Sequence, residues 1–448
     1  MQIRISIHIV IMMVIMLCLP GLTMAADAVT PLSLKDSIAM ALEQNLVLRA
    51  TREELIASAA RRDEAITGFL PKFSTSYGYT RLNTDPWFPI SGMEPLFPST
   101  KMTAGTKDNF TWAVEVKQPI FAGGAIREGY RLSALGVDAA SYEQKARMLD
   151  VVQQVRGAYY GVLKAQHLRD VARQSVTSLE AHRRTVQAFY DQEMVARNDV
   201  LYVEVELANS QKLLIQAESG VEMAKAQFNT ILRRDMGTPV VLDDIPEMTY
   251  FGEPLESCLK TAEESRPEIK ESRIKARQAE RLVAIEKSAY YPSVGMVGHY
   301  EKFGDSPTLK GSDFKDKESW YVAGVAEWNF WEWGKTRDRV RAQKAYSNTA
   351  EIACAMLNDR VRLEVKEAYL KLQDARKQIE VAQKAVTQAE ENFRINQANY
   401  REQIATNTDV LDAQTLLVRT RTDRINALAD YHMSLAGLER TMGTLNIQ

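Results

Sequence analysis

Two parts of the chain alternate apolar and polar residues with a period of two, which is typical of β-strands. In residues 73–82 and 110–117, aromatic and β-branched side chains alternate with small or polar ones. The same alternation returns in residues 294–303 and 320–330. Each segment is about ten residues long, and a loop containing Gly and Pro joins it to its partner. The two predicted β-hairpins span residues 73–120 and 294–330.

Most of the remaining chain has apolar residues every three or four positions, which is the spacing of α-helices. No proline occurs from Ile120 to Thr238 or from Thr308 to the C-terminus. Each tract can therefore hold a helix of about 70 residues, a short break and a second helix of about 35. A shorter helix is predicted over residues 32–66, opened by Ser33 or Asp36. Helices this long cannot form an ordinary globular core and must pack side by side, as a rod or a tube. The coiled-coil seam of the second tract comprises Val365, Tyr369, Leu372, Ala375, Ile379, Ala382, Val386, Ala389 and Phe393.

The chain is also an internal duplication. A shift of 210 residues aligns Phe121 with Trp331 and Gly124 with Gly334, and the same shift persists to residues 199–201, which fall on 409–411. Upstream of the hairpins the shift is 221, so the first copy carries eleven extra residues in its hairpin region. A repeat sustained over this length indicates two copies of one structural unit. The expected units are a first repeat at 32–236, a linker at 237–254 and a second repeat at 255–443.

The first residues have the layout of a secretory signal peptide. Basic Arg4 precedes an apolar run at 9–19, and small residues precede two candidate cleavage sites, after Ala25 or Ala28. We expect residues 1–25 or slightly more to be removed. An uncleaved anchor and lipidation at Cys18 are the alternatives, although the run is short for a transmembrane helix.

Composition argues against several classes of function. The formal net charge of −2 gives no reason to expect a nucleic-acid partner. The five histidines are scattered, and Cys258 and Cys354 lie in predicted helices without a Cys-x-x-Cys or a nearby His, so we expect no metal and no cofactor. The segment Gly334-Lys335-Thr336 resembles the end of a phosphate-binding loop, but Asn329 occupies the position of its first glycine. No catalytic motif supports an enzyme.

The strands have the length and alternation of transmembrane β-strands. Soluble hairpins packed on helices would show the same pattern. Four strands cannot close a barrel, and an open sheet edge in lipid leaves backbone groups unpaired, so membrane-spanning strands require several chains to share one barrel. Two, three or four copies would supply 8, 12 or 16 strands. An exported, mostly polar chain of this kind fits the bacterial outer membrane.

These motifs resemble those of the TolC family of outer-membrane efflux proteins, and the resemblance covers most of the mature chain, from about Leu32 to Gly443. The motifs that carry it are the duplicated plan, the Pro-Ile-Phe-Ala-Gly-Gly junction at 119–124, the Ala-Tyr pairs at 158–159 and 368–369, and the Asp-Val-Leu sites that begin at Asp199 and Asp409.

The resemblance implies an α+β, mostly α fold in which long coiled-coil helices carry two β-hairpins per chain. It implies a homotrimer, with a twelve-stranded barrel in outer-membrane lipid that continues into a twelve-helix tunnel across the periplasm. Its expected partners are a periplasmic adaptor protein and an inner-membrane pump of the RND or ABC type. The closed inner end of the tunnel would open when these partners engage the helix tips.

The helix tips, at the breaks near 195–198 and 404–408, are the expected aperture. The residues predicted there are Arg197, Asp199, Asn407, Asp409 and Asp412. Local chemistry alone also explains Asp199 and Asp409, because a carboxylate in the first turn of a helix is favourable. Asn198 or Thr408 can serve as the N-cap.

Two departures from the family pattern affect the tips. Glu193 and Gln403 stand where family members commonly have glycine, six residues before each tip aspartate. The sequence therefore does not predict the backbone conformation of the turn. Asp412 matches a second acidic position of some members, whereas the first copy has Tyr202 there, so a threefold acidic ring is expected and a sixfold ring is not.

The inner face of the barrel is expected to carry Glu115, Lys117 and Glu327, with His299 as a further pore-lining residue. The junction between strands and long helices is expected at Phe121, Gly123, Gly124 and Gly334. The predicted function is passive conduction of substrates from an adaptor and pump to the cell exterior. A periplasmic coiled-coil adaptor or scaffold is the alternative, but it does not account for the two hairpins with their aromatic residues. The sequence indicates no particular substrate.

Overall fold

A computed structural model describes residues 31–90, 100–245, 248 and 250–444, so the predicted signal peptide and both candidate cleavage sites lie outside the described residues. The helices are α1 (Leu34–Gln44), α2 (Leu46–Thr67), α3 (Ala125–Asp191), α4 (Arg197–Ile231), α5 (Leu255–Ser265), α6 (Pro267–Lys287), α7 (Lys335–Arg401) and α8 (Asn407–Met442). The strands are β1 (Lys72–Arg81), β2 (Trp87–Ile90), β3 (Thr100–Thr103), β4 (Asp108–Ala122), β5 (Ser293–Gly304) and β6 (Glu318–Glu327).

The two hairpins join into one antiparallel sheet with the order β1-β4-β5-β6. Its centre is the pairing of β4 with β5, which links the first repeat to the second, and a bulge between Pro119 and Phe121 shifts the register near the helical end. Two details differ from the sequence prediction. The last strand ends at Glu327 rather than at residue 330. The long loop after β1 contains a small ribbon, β2–β3, in which a period-two signal of only four residues per strand was too short to recognise.

The long helices form a layer with two levels. At the level next to the sheet the neighbours run in the order α2-α3-α6-α7, and at the far level they run α4-α3-α8-α7. The helices α3 and α7 belong to both levels, because each has 67 residues and is therefore about 100 Å long. None of the helices in the described part of the chain is both long and apolar enough to cross a bilayer.

The single helix predicted over residues 32–66 is wrong, because the structure has two helices there. The chain leaves the helical conformation at Asn45, whose side-chain Oδ1 accepts from the Val47 amide at 2.8 Å and so starts α2. The second repeat breaks at the equivalent Arg266, where Pro267 takes the first helical position. Pro267 was the signal for both breaks, since the shift of 221 residues aligns it with Leu46, directly after Asn45.

The core is duplicated along with the sequence. Positions related by the repeat shift are buried in both halves: Ala41 and Ala262, Leu48 and Ile269, Val155 and Val365, Val162 and Leu372, and Phe228 and Leu438. In the first half these side chains pack α1 against α3 and the end of α4, and in the second half they pack α5 against α7 and the end of α8. Equivalent residues thus meet equivalent neighbours in both halves.

A buried ion cluster ties the end of α8 to its neighbours. The guanidinium of Arg440, which is 8% exposed, donates to Asp150 Oδ1 at 2.8 Å and to Glu268 Oε1 at 2.6 Å. Glu268 also pairs with Arg266 at 3.3 Å, and Arg266 pairs with Glu364 at 2.7 Å. Burial alone would raise the pKa of Glu268, but Arg440 outweighs it and holds that pKa below its ordinary value.

Candidate functional site

The turn at each helix tip has the same backbone. Glu193 and Gln403 are in the left-handed region, with φ of 61° and 60°. In each turn the amide of the next residue donates a hydrogen bond to a carbonyl near the end of the long helix. The Met194 amide donates to the Phe189 carbonyl at 2.9 Å, and the Ile404 amide donates to the Asn399 carbonyl at 2.8 Å. The turn therefore keeps the conformation that glycine favours, although a side chain in that region costs about 1 kcal/mol.

The residues that cap the tip helices differ from the prediction. Thr406, not Thr408, is the N-cap of α8, and it forms a reciprocal capping box with Asp409: the Asp409 amide donates to Thr406 Oγ1 at 3.2 Å and the Thr406 amide donates to Asp409 Oδ2 at 2.8 Å. The N-cap of α4 is Ala196, not Asn198, and it has no side chain to accept such a bond. The capping bonds from Thr406 hold the pKa of Asp409 below its ordinary value.

Asn407 connects the two tips from the inside. It is 5% exposed, its Oδ1 lies 2.8 Å from Nε2 of buried His182 on α3, and its Nδ2 donates to the Asp199 carbonyl at 3.2 Å. Burial lowers the pKa of His182, and the bond to Asn407 only partly offsets this, so the imidazole is neutral at pH 7 and donates through Nε2. Sequence reasoning missed His182, because a single histidine on a helix has no distinguishing pattern.

An apolar cluster surrounds this polar bridge. Tyr400 lies 5.0 Å from the His182 ring, centroid to centroid, and burial together with the nearby Asp199 raises the pKa of its hydroxyl to about 12. The cluster comprises Leu179, Val186, Val200, Val203, Tyr400, Val410 and Leu411. The tips are therefore packed together as one unit, with residues from α3, α4, α7 and α8.

The remaining predicted tip residues lie on the surface. Arg197, Asp409 and Asp412 are exposed, and Asp199 is half-buried. The two Asp-Val-Leu sites also differ at their leucines, because Leu411 is 5% exposed inside the cluster whereas Leu201 is 48% exposed. Leu411 of the second tip thus packs inside the chain, whereas Leu201 of the first tip presents apolar surface.

The strand register places the predicted lumen residues together. Glu115 lies opposite Ser74 on β1 and opposite His299 on β5, and continuing across the sheet puts Glu327 on the same face. On that face Lys117 Nζ pairs with Glu115 Oε1 at 2.5 Å. The other face is mainly apolar and carries Phe73, Tyr77, Phe110, Trp112, Val114, Val116, Trp320 and Val322.

The strand–helix junction needs left-handed residues in both repeats. Gly123 has φ of 60°, and a Cβ there would lie 2.2 Å from the Ser288 carbonyl oxygen, so only glycine fits. The next residue, Gly124 with φ of 92°, is the N-cap of α3, and Gly334 with φ of 86° is the N-cap of α7. Phe121, 45% exposed, lies just beyond the bulge in β4.

Metal chemistry finds no support in the described residues, which contain no group of three or more His, Cys, Asp or Glu able to hold an ion. Cys258 is buried and Cys354 is half-buried, and both are free thiols. The described residues form instead a sheet with one mainly apolar and one polar face, a layer of very long helices and a packed tip.

Comparison with known proteins identifies this arrangement. A family model described as outer membrane efflux protein matches residues 37–232 and 258–444, one match in each repeat. The chain belongs to this family. The outer membrane efflux protein BepC of Brucella suis is 20% identical over 438 residues, covering 96% of this chain and 90% of BepC.

Solved structures show the same fold. The Campylobacter jejuni CmeC outer membrane channel matches with a TM-score of 0.77 at 18% identity, over 92% of this chain and 85% of that one. The open state of the Neisseria gonorrhoeae MtrE outer membrane channel matches with a TM-score of 0.74 at 16% identity, over 92% and 88%. This efflux protein is therefore an outer-membrane channel of efflux or secretion systems, extending into the periplasm. The TolC-like resemblance of the sequence is confirmed, and the periplasmic scaffold alternative is set aside.

Proposed function

We propose that three copies of this efflux protein form one conduit, in which twelve strands close a barrel in the outer membrane and twelve helices form a tunnel. Substrates enter at the helix tips, pass through the water-filled interior without any cofactor, and leave the cell. A periplasmic adaptor engages the tips, and an inner-membrane pump of the RND or ABC type supplies both energy and substrate choice.

The observation that carries this proposal is that both the sheet and the helix layer of the chain have two unpaired edges, so the chain has the form of one segment, or slice, of a ring. The sheet ends in β1 on one side and β6 on the other, and the far helical level ends in α4 and α7. An unpaired strand edge within lipid is not viable, so β1 of one copy must pair with β6 of the next. The contact is head-to-tail and closes into a ring, and three copies supply the twelve strands that the TolC-like resemblance implies.

The edge helices also carry exposed apolar stripes. On α7 the residues recur at multiples of about 3.6, so they line one side of the helix. They are Ile352, Met356, Leu363, Leu370, Val381 and Ile395, and each is 43–67% exposed. A comparable set on α4 comprises Leu201, Val205, Ile215 and Met223. Contiguous apolar surface of this kind marks an interface, here between α7 of one copy and the opposite edge of the next, which is α4 at the far level and α2 next to the sheet.

The test is to purify the protein from outer-membrane fractions in detergent, determine the oligomeric mass and record conductance in a planar bilayer. We expect a trimer with discrete channel openings. Val381→Glu on the α7 stripe should reduce the trimer fraction at least tenfold, because the neighbour buries that side chain. Thr177→Glu, on exposed α3 surface away from both edges, is the control. A wild-type protein that remains a monomer and never conducts would refute the proposal.

The tip aperture makes a second prediction. If three Asp412 carboxylates ring the aperture, Asp412→Asn should raise the cation concentration needed to block the channel by about fivefold or more. Tyr202→Phe changes the equivalent position of the first repeat without altering charge and serves as the control. Identical block in wild type and Asp412→Asn would remove Asp412 from the aperture while leaving the trimeric channel intact.

A further inference from the structure

The connection between β6 and α7 carries an unusual density of exposed aromatic side chains. Four of them occur within six residues: Trp328 (57% exposed), Phe330 (78%), Trp331 (67%) and Trp333 (87%). The equivalent positions of the first repeat hold Gln118, Ile120, Phe121 and Gly123. The aromatic surface is therefore a property of the second repeat and not of the duplicated framework.

Trp333 is held in a conformation that opposes its side chain. Its φ is 53°, in the left-handed region where a bulky residue is rare. The first repeat places glycine at this point, with φ of 60°. The Trp333 ring contacts Trp331, at 5.6 Å between centroids, yet remains almost fully exposed. Packing within the chain does not explain why tryptophan, rather than glycine, occupies this position.

Cationic side chains follow the aromatic ones directly. Lys335, Arg337 and Arg341 are exposed at the start of α7, and the side chains of the first two retain 54% and 74% of their surface. Their ion pairs are surface pairs, Lys335 with Glu332 at 3.4 Å and Arg337 with Asp338 at 3.2 Å, which contribute little and exchange readily. In the first repeat the arginines at the equivalent place are engaged by buried Glu128.

Aromatic side chains with adjacent cations fit one environment in particular. Tryptophan prefers the headgroup layer of a membrane, where its ring is amphipathic, and each Lys or Arg near an anionic lipid surface contributes about 1 kcal/mol. Trp320 and Val322 lie on the apolar face of the sheet, and Trp328 directly follows the last residue of β6, Glu327. The aromatic residues thus lie where the lipid-facing strands end and the helices begin.

We propose that this collar, formed by Trp328, Phe330, Trp331, Trp333, Lys335, Arg337 and Arg341, binds the anionic headgroups of glycerophospholipids in the membrane leaflet that faces the periplasm. The inference rests on the proposed barrel, which sets the leaflet. The rings occupy the headgroup layer, the cations pair with lipid phosphates, and the lipid contact compensates for the backbone strain at Trp333.

The test uses the full-length trimer in nanodiscs of phosphatidylcholine alone or with phosphatidylglycerol. Trp333→Gly removes the ring and also relieves the left-handed strain, so we expect an unchanged or higher melting temperature in detergent and a smaller stabilisation by phosphatidylglycerol. The double variant Lys335→Gln/Arg337→Gln should weaken phosphatidylglycerol binding about tenfold or more and leave phosphatidylcholine binding unchanged. Arg184→Gln, on exposed α3 far from the junction, is the matched control.

A third measurement locates the ring directly. Brominated lipid in the nanodisc should quench more tryptophan fluorescence in the wild type than in Trp333→Phe. The difference in quenched fluorescence between the two proteins is the contribution of Trp333. Equal phosphatidylglycerol dependence in the wild type and both collar variants, in trimers that still conduct, would overturn the collar and leave the channel standing. Failure of the wild type to insert or conduct would instead refute the proposed function.

Discussion

The two repeats agree in their cores and differ at their ends. Positions such as Val155 and Val365 are buried in equal measure and meet equivalent neighbours. At the tip, by contrast, Thr406 caps one helix while Ala196 leaves the other uncapped, and at the junction Trp333 replaces Gly123. A duplicated core preserves the frame, whereas the ends meet different surroundings and have diverged. A substitution in one repeat can therefore be compared with a substitution at the equivalent position of the other repeat, which serves as its control.

The largest expected effect comes from the ion cluster around Arg440, at the end of α8. Arg440→Ala removes the guanidinium that Asp150 and Glu268 share and leaves them only their longer pairs with other arginines. We expect a loss of about 2–4 kcal/mol in the free energy of unfolding, since both carboxylates keep some contact with water. Thr230, the equivalent residue of the first repeat, is exposed. Thr230→Ala should therefore cost less than about 0.5 kcal/mol. Denaturant midpoints in detergent measure both, and equal midpoints would show that the cluster contributes nothing.

A smaller, pH-dependent effect is expected at Glu128. Its carboxylate is 6% exposed and pairs with Arg131 at 2.8 Å and with Arg127 and Arg281 at 3.2 Å. Burial would raise the pKa, but the hydrogen bond from Arg281 and the charges of the three arginines outweigh it, and the pKa of Glu128 lies below its ordinary value. The ionised group therefore stabilises the fold above its unfolded pKa, and this contribution is lost as the pH falls through the folded pKa.

We expect Glu128→Gln to cost about 1–3 kcal/mol at pH 7. The difference from the wild type should shrink as the pH falls through the lowered folded pKa of Glu128, because both proteins are then neutral at this position. The equivalent Asp338 is exposed, so Asp338→Asn should change little at any pH. Melting curves from pH 7 to pH 3 provide the comparison, and a difference independent of pH would mean that packing, not charge, is responsible.

The smallest effect concerns the caps. Thr406→Ala removes the capping box of α8 and should cost about 1 kcal/mol. The reverse change in the first repeat, Ala196→Thr, supplies the missing acceptor next to Asp199 and should add up to about 1 kcal/mol. Amide hydrogen exchange in the first turn of each helix reports both changes locally. Protection that falls in the first variant and does not rise in the second would indicate that the turn at Ala196 cannot adopt the cap geometry.

Much of this architecture could be predicted from the sequence. The period-two segments, the proline-free tracts and the repeat shift led to the strands, the two 67-residue helices and the tip breaks. Interactions between distant residues could not be predicted. His182 and Asn407 are 225 residues apart and become partners only when the tips pack together. The cap of α8 was misplaced by two residues because Thr406 and Thr408 are equally good capping types.

The open edges of the four-stranded sheet also have a consequence for biogenesis. A single chain can complete its helices and its internal β4–β5 pairing, since those contacts lie within the slice. If several chains share one barrel, as proposed, β1 and β6 can pair only with other copies, and the final step of folding then requires other chains. The half-time of that step should therefore shorten as the chain becomes more concentrated, unlike the concentration-independent folding of a single-chain barrel. Until other copies arrive, the exposed strand edges are a site for aggregation.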